Sequence, residues 1–205
     1  RKAGSITTTA LNALISQNLV GLTEHEVAIK LERLMIDIGA HAIGFETIVA
    51  AGENSAIPHH HPSDRRIASG DLLKIDFGAQ YEGYKSDCSR TFIIGKADAF
   101  QRDLHANVKS AQEAGRSLVK NNVKAQELDA AVRSKLAGHE FASTFQHGLG
   151  HGVGLAIHED PFLSAKNDTR LASGTVVTIE PGMYVAGRGG VRIEDTIVVT
   201  DDGYR

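Results

Sequence analysis

The chain has 205 residues, 41% hydrophobic and 23% charged, with a formal net charge of −3. That length buries a substantial single core, and the charge gives no reason to expect nucleic acid or an anionic membrane as a partner. No apolar run approaches the roughly 18 residues that cross a bilayer, no signal peptide is visible, and the single cysteine, Cys88, excludes an intrachain disulfide and fits a reducing, cytoplasmic setting.

From Ser5 to Val20 apolar residues fall at 6, 10, 11, 14, 15 and 19, a helical spacing that Gly21 stops. Thr23-Glu24-His25-Glu26 is a capping-box pattern, and Val27, Leu31, Leu34, Met35 and Ile38 continue one helical face to Gly39. Phe45 to Ala51 reads as a strand closed by Gly52-Glu53-Asn54-Ser55, after which Pro58 and Pro62 bound a loop carrying His59-His60-His61. A hairpin from Lys74 to Gly95 follows, with Asp76 inside an apolar run and Asp87 beyond Tyr81-Glu82-Gly83-Tyr84. A turn near Tyr81 and Glu82 makes Asp76 and Asp87 directly opposed, with Cβ atoms about 4.5–5.5 Å apart. Two carboxylates that close need a shared proton, a basic partner or a metal.

From Asp98 the pattern begins again. Asp98 to Asn121 and Ala125 to Ala137 read as helices, and His147 to Pro161 is a Gly/His-rich loop. Thr175 to Val185 and Gly190 to Thr200 read as the strands of a second hairpin, turning about Gly187. Glu180 and Glu194 are then opposed in turn. Each half is thus helix, helix, histidine loop and a hairpin with two acids, which predicts two α/β halves about an approximate two-fold axis, within one domain. The chain begins at Arg1, not Met, and ends on Asp202-Gly203-Tyr204-Arg205 just after a strand-like run, as expected of a piece with sequence missing at one or both ends.

Asp76, Asp87, Glu180 and Glu194 at one centre cannot all ionise unaided, and a pair of divalent cations resolves the repulsion. An oxygen-rich set with one or two histidines suits Mn²⁺ best, with Co²⁺, Fe²⁺ or Zn²⁺ as alternatives. His147, His151 and His158 lie among four glycines, and the glycines flanking His151 permit the close backbone approach a ligand needs. A phosphate loop is disfavoured by the lack of Gly-Lys-Ser/Thr, a zinc-protease helix by the lack of His-Glu-x-x-His, and serine chemistry by the lack of a Gly-x-Ser-x-Gly elbow. Cys88 reads as a small buried filler.

Four blocks carry a resemblance. They are Asn54-Ser55-Ala56-Ile57-Pro58-His59; Ile75-Asp76-Phe77-Gly78 with Ser86-Asp87 and Arg90-Thr91-Phe92; Gly150-His151-Gly152-Val153-Gly154 with Ile157-His158-Glu159; and Ile179-Glu180-Pro181-Gly182-Met183-Tyr184 with Val191-Arg192-Ile193-Glu194-Asp195. In these the chain resembles the proline-specific metallopeptidases, Xaa-Pro dipeptidase (prolidase) and Xaa-Pro aminopeptidase, and their relatives the methionine aminopeptidases. The resemblance implies an α+β pita-bread fold, two pseudo-symmetric α/β halves around a curved antiparallel sheet. It makes residues 1–205 a catalytic domain that lacks the family's N-terminal creatinase-type domain and C-terminal tail.

The same resemblance implies two metal ions, Asp76 binding one, Asp87 and Glu194 bridging both, His151 and Glu180 completing the second. In such a site Glu180 moves a proton from the attacking water towards the leaving nitrogen, His59 and His158 contact substrate carbonyl or leaving group, and His147 and Arg192 support. Arg192 is expected to pair with an acid near the centre. The implied substrates are short peptides with proline in second position, and the implied full-length assembly is a homodimer. Val191-Arg192-Ile193-Glu194-Asp195-Thr196 and the His-His-Pro around His59 resemble the proline-specific branch. A methionine aminopeptidase, or a catalytically silent binding module of the same fold, are the alternatives.

Overall fold

Two helices stack on an antiparallel sheet in the first half, and the second half repeats the arrangement. The computed structural model describes all 205 residues. The first half runs α1 (Lys2–Ile15), α2 (Glu24–Asp37), β1 (Ala42–Ile43), β2 (Ile48–Ala51), β3 (Leu72–Phe77), β4 (Ala79–Tyr81), β5 (Tyr84–Lys85) and β6 (Cys88–Ile93). The second runs α3 (Ala99–Ser117), α4 (Ala125–Leu136), β7 (Gly150–Gly152), β8 (Glu159–Leu163), β9 (Val176–Ile179), β10 (Gly182–Val185), β11 (Gly189–Arg192) and β12 (Asp195–Val198). Each half has its own core: Ile6, Leu14, Val27, Leu31 and Met35 meet Leu73, Ile75 and Phe77 in one, while Leu104, Val108, Leu128 and Val132 meet Val177, Ile179 and Val191 in the other. No helix is long and apolar enough to cross a membrane.

Helix starts follow their caps. Thr23 Oγ1 accepts from Glu26 N at 3.0 Å while Thr23 N donates back to Glu26 Oε2 at 2.7 Å, and Asp98 and Gln101 repeat the box on α3. The first helix ends at Ile15, short of the expected Val20. Ser16 Oγ and Gln17 Nε2 both donate to Ala13 O, and Asn18 Oδ1 accepts from Val20 N, so local side chains capture the backbone groups that another turn would use. The strand expected from Phe45 begins only at Ile48, and Gly52–Ala56 is a short 3-10 turn.

The first hairpin corrects the expected register. Tyr81 pairs with Tyr84 and Asp76 with Ser89, so the turn residues are Glu82 and Gly83, both at positive φ (50° and 85°), as a tight two-residue hairpin loop requires. Moving the turn centre by one residue shifts the pairing by two. Because strand faces alternate with period two, Asp87 stays on the face of Asp76 as its diagonal neighbour, not its opposite number. In the second hairpin Gly182 pairs with Arg192 and Ile179 with Asp195, which holds Glu180 opposite Glu194 as expected. The segment around His151, expected as loop, is the strand β7, paired with both β8 and β9.

At Gly78, where the first hairpin narrows next to Asp87, an added Cβ would lie 1.8 Å from the carbonyl oxygen of Ser86. Gly138 has nothing within 4 Å of that position. Chemical denaturation is expected to find Gly78→Ala destabilised by about 3 kcal/mol or more, and Gly138→Ala within about 0.5 kcal/mol of wild type.

Candidate metal centre

Asp76 is the fifth residue of β3, a strand buried along its whole length, and Asp87 sits just before β6. Glu180 and Glu194 occupy the gap between the two paired stretches of the second hairpin. The ladder breaks there because their backbone N–H groups turn elsewhere: Glu180 N donates to Leu149 O at 2.8 Å and Glu194 N to Ser89 O at 3.0 Å. The second of these joins the halves. Thr91 Oγ1 reinforces the join by donating to Arg192 O at 3.0 Å and accepting from Arg192 N at 3.1 Å, and Gly190 N donates to Ser55 Oγ at 2.8 Å. Two acid-bearing hairpins are thereby held face to face.

All nine residues singled out from the sequence line one cavity of about 420 Å³: Asp76, Asp87, His151, Glu180 and Glu194 in its floor, with His59, His147, His158 and Arg192 around them. Ligand atoms of Asp87, His151 and Glu194 lie within 4.8 Å of one another. His151 Nε2 is 3.5 Å from Asp87 Oδ2 and 3.3 Å from Glu180 Oε1. Its Nδ1 lies 3.0 Å from Gly152 O, a partner that can only accept, which puts the proton on Nδ1 and leaves Nε2 facing the acids. Asp76 gives one carboxylate oxygen to Arg192, as expected of that arginine. Its other oxygen, and Glu194 Oε1, are buried without any hydrogen-bond partner.

The electrostatics divide the acids into two kinds. Burial, then repulsion from Asp76 and Glu180, pushes the Asp87 carboxyl well above the usual carboxylate range. Burial, then Asp87 and Glu180, does the same to Glu194. Glu180 goes the other way: burial works against its charge, but the hydrogen bond from His151, whose own pKa Glu180 raises so that Nε2 also carries a proton while no metal is bound, and the charges of His147 and Arg192 outweigh it and hold the carboxyl low. Two bare buried oxygens, two carboxylates resisting ionisation and an imidazole nitrogen turned towards them form an oxygen-rich donor set that fits divalent cations.

Around this floor the histidines differ. His147 places Nδ1 2.8 Å from Gly148 O and Nε2 2.8 Å from the Tyr184 hydroxyl, and burial lowers its pKa. His158 stacks edge-on against His151 with ring centroids 4.3 Å apart, and burial followed by the charge of His151 lowers its pKa too. His60 and His61 do not belong to the cavity: His60 turns onto Glu24 at 2.8 Å and His61 onto Glu46 at the surface. Cys88 is a filler, its thiol pushed up to about 12 by burial.

Three supporting residues escaped the sequence reading. Lys74, fully buried on β3, donates to the carbonyls of Ile57 at 2.6 Å and Pro58 at 3.3 Å, just before His59. A charged residue two before Asp76 in an apolar strand was the available signal, since i and i+2 share a face. Tyr184 receives Arg192 Nη1 at 2.9 Å and so links Arg192 to His147; no spacing signal marked it. Glu24 was concealed inside the capping box.

Residues 1–201 match the model of metallopeptidase family M24. The Xaa-Pro dipeptidase of Pyrococcus horikoshii is 44% identical over 202 residues, 98% of this chain and 58% of that protein. The prolidase structure from Pyrococcus furiosus gives a TM-score of 0.97 at 44% identity, covering 100% of this chain and 60% of that one. The X-Pro aminopeptidase structure from Thermotoga maritima gives 0.95 at 38% identity, covering 98% and 57%. The chain therefore spans less than two thirds of the length of these relatives. With a match across nearly its whole length, and with the carboxylate–histidine floor where its two halves join, the chain belongs to metallopeptidase family M24 and has the pita-bread fold of its prolidase neighbours.

Proposed function

We propose that this chain is the catalytic domain of a dinuclear metallopeptidase that cleaves the Xaa-Pro bond and releases the N-terminal residue. The observation that carries the reading is the Asp87, His151 and Glu194 cluster with its bare carboxylate oxygen, in a chain 44% identical to an Xaa-Pro dipeptidase. Asp76, Asp87, His151, Glu180 and Glu194 are the proposed ligands, and Mn²⁺ is the proposed metal because oxygen donors dominate. Bound there, divalent ions supply an acidified water and stabilise the oxyanion that develops on the scissile carbonyl.

The chain's own groups do the rest. Glu180, held ionised, accepts the proton of the attacking water and passes it to the leaving proline nitrogen. That nitrogen belongs to a tertiary amide with no N–H, so the site needs no acceptor for it in the ground state. His59 and His158, lining the cavity above the acids, hydrogen-bond the substrate carbonyl and the leaving group. Arg192 fixes Asp76, and Tyr184 fixes His147 in one tautomer, so neither drifts during turnover.

Three outcomes test this. Full-length Mn²⁺-loaded protein is expected to hydrolyse Xaa-Pro substrates; cleavage of the dipeptide alone identifies a dipeptidase, cleavage of Xaa-Pro-Yaa-Zaa an aminopeptidase, and faster release of Met from Met-Ala-Ser overturns the proline assignment. Asp87→Ala is expected to lose metal and activity together, measured by elemental analysis and kcat; two retained metals with full activity sink the ligand assignment.

Asp87→Asn is expected to separate stability from function. A carboxyl whose folded pKa is raised costs nothing below the unfolded pKa, near 4, and its full penalty appears as pH rises through the folded value. Metal-free Asp87→Asn therefore gains about 1–2 kcal/mol over wild type at neutral pH. The gain vanishes towards pH 4, and the variant loses the rise in Tm that Mn²⁺ gives the wild type.

A further inference from the structure

Glu24 is the first residue of α2, and its side chain is fully buried, 27 residues or more from anything it binds. The capping duty of this helix start falls to Thr23 and Glu26, so Glu24 is not needed for it. Five donors converge on its two oxygens. Oε1 accepts from Ala51 N at 2.7 Å and Asn54 Nδ2 at 3.0 Å; Oε2 accepts from Ser63 N at 3.0 Å and Ser63 Oγ at 2.6 Å, and lies 2.8 Å from His60 Nε2. These partners come from the end of β2, the 3-10 turn and the far side of the histidine loop.

We propose that Glu24 is a positioning residue for His59, a role that rests on the peptidase reading above. The loop that bears His59 is fixed on both sides. Pro58 O is held by Lys74 Nζ at 3.3 Å and Arg192 Nη1 at 3.1 Å, and Glu24 clamps His60 and Ser63 immediately after. Turning His60 inwards onto Glu24 leaves His59 as the loop's imidazole in the cavity. Only a carboxylate can do this. An amide nitrogen in place of either oxygen would face two or three donors and accept from none of them, leaving buried groups unpaired.

The test is a double-mutant cycle on the full-length, Mn²⁺-loaded protein: wild type, Glu24→Gln, His59→Ala and the double variant, assayed for kcat/KM on an Xaa-Pro peptide and for bound metal. Glu24→Gln is expected to lower kcat/KM by up to about 100-fold with both metals retained. In the His59→Ala background it is expected to cost little more, because both changes remove the same interaction. Amide exchange should accelerate across residues 51–63 and stay slow in Leu72–Phe77.

Losses that multiply, full activity in Glu24→Gln, or unchanged exchange across 51–63 overturn the proposal. A wild-type protein without peptidase activity overturns the peptidase reading, and the exchange data then decide whether Glu24 fastens the loop. Should Glu24→Gln not fold, Ser63→Ala withdraws one donor from the same carboxylate and carries the same cycle and exchange measurements, with a smaller loss expected.

Discussion

Four carboxylates and one imidazole crowded into one buried floor set the terms for everything else in this chain. Carboxylates removed from water are costly when isolated, and costlier when they face each other. A stable fold without such a floor would bury apolar side chains in its place. This one sets an arginine on Asp76 and a threonine hydroxyl on Glu180, with a buried lysine and a tyrosine close by, and it interrupts a β-ladder at Glu180 and Glu194. The interruption at Glu180 and Glu194 frees their N–H groups to bond Leu149 and Ser89, so the break that exposes the acids to the cavity is also what locks the hairpins together.

That lock is polar, which matters for precision. Apolar packing within each half leaves small sliding freedom, whereas the Thr91–Arg192 exchange of two hydrogen bonds and the Glu194–Ser89 bond fix register to a single residue. Arg90 adds to it, donating to the Glu194 carbonyl and, at 2.5 Å, to Asp195, which also receives Arg116 at 2.6 Å and Gln112 at 2.8 Å from α3. The backbone on both sides of Glu194 is therefore tied down while its Oε1 keeps no hydrogen-bond partner, as the proposed ligand role requires. Holding ligands on rigid strands by bonds to their backbone, not their carboxylates, keeps the oxygens available.

The acids were legible because charge in an apolar strand is a strong local signal, and because two hairpins carried it at matching places. Their register was less legible. The turn could be centred on Tyr81-Glu82 or Glu82-Gly83, and only the second gives two residues able to sit at positive φ with a glycine among them. The face survived the error because the period of a strand is two. His151 is found through its glycines, yet it lies on a strand and not in a loop: the glycines promise close backbone approach to a ligand, while here a Cβ at Gly150 would lie 2.1 Å from Thr178 O and one at Gly152 2.4 Å from Asp160 O, so it is the neighbouring backbone that they admit. Glu24 was hidden by a better-known role for its neighbours, since the pattern that names Thr23 and Glu26 explains the helix start and asks nothing more of the residues between.

The distribution of internal cations argues for which acids are meant to meet metal. Arg192 compensates Asp76 directly, and His151, His147 and Arg192 together hold Glu180 ionised. Asp87 and Glu194 receive no comparable partner; Arg192 is too weak an influence on either to offset burial and mutual repulsion. A fold that sought only to satisfy its buried acids would have spread the compensation, because a single uncompensated buried charge is the costliest arrangement. Two adjacent carboxyls that resist ionisation, beside an Asp76 that keeps one bare oxygen, gather at one point between the halves the oxygens that a cation would bring to charge. That point is where the resemblance implies bridging ligands, and burial together with the facing acids is what sets Asp87 and Glu194 apart there.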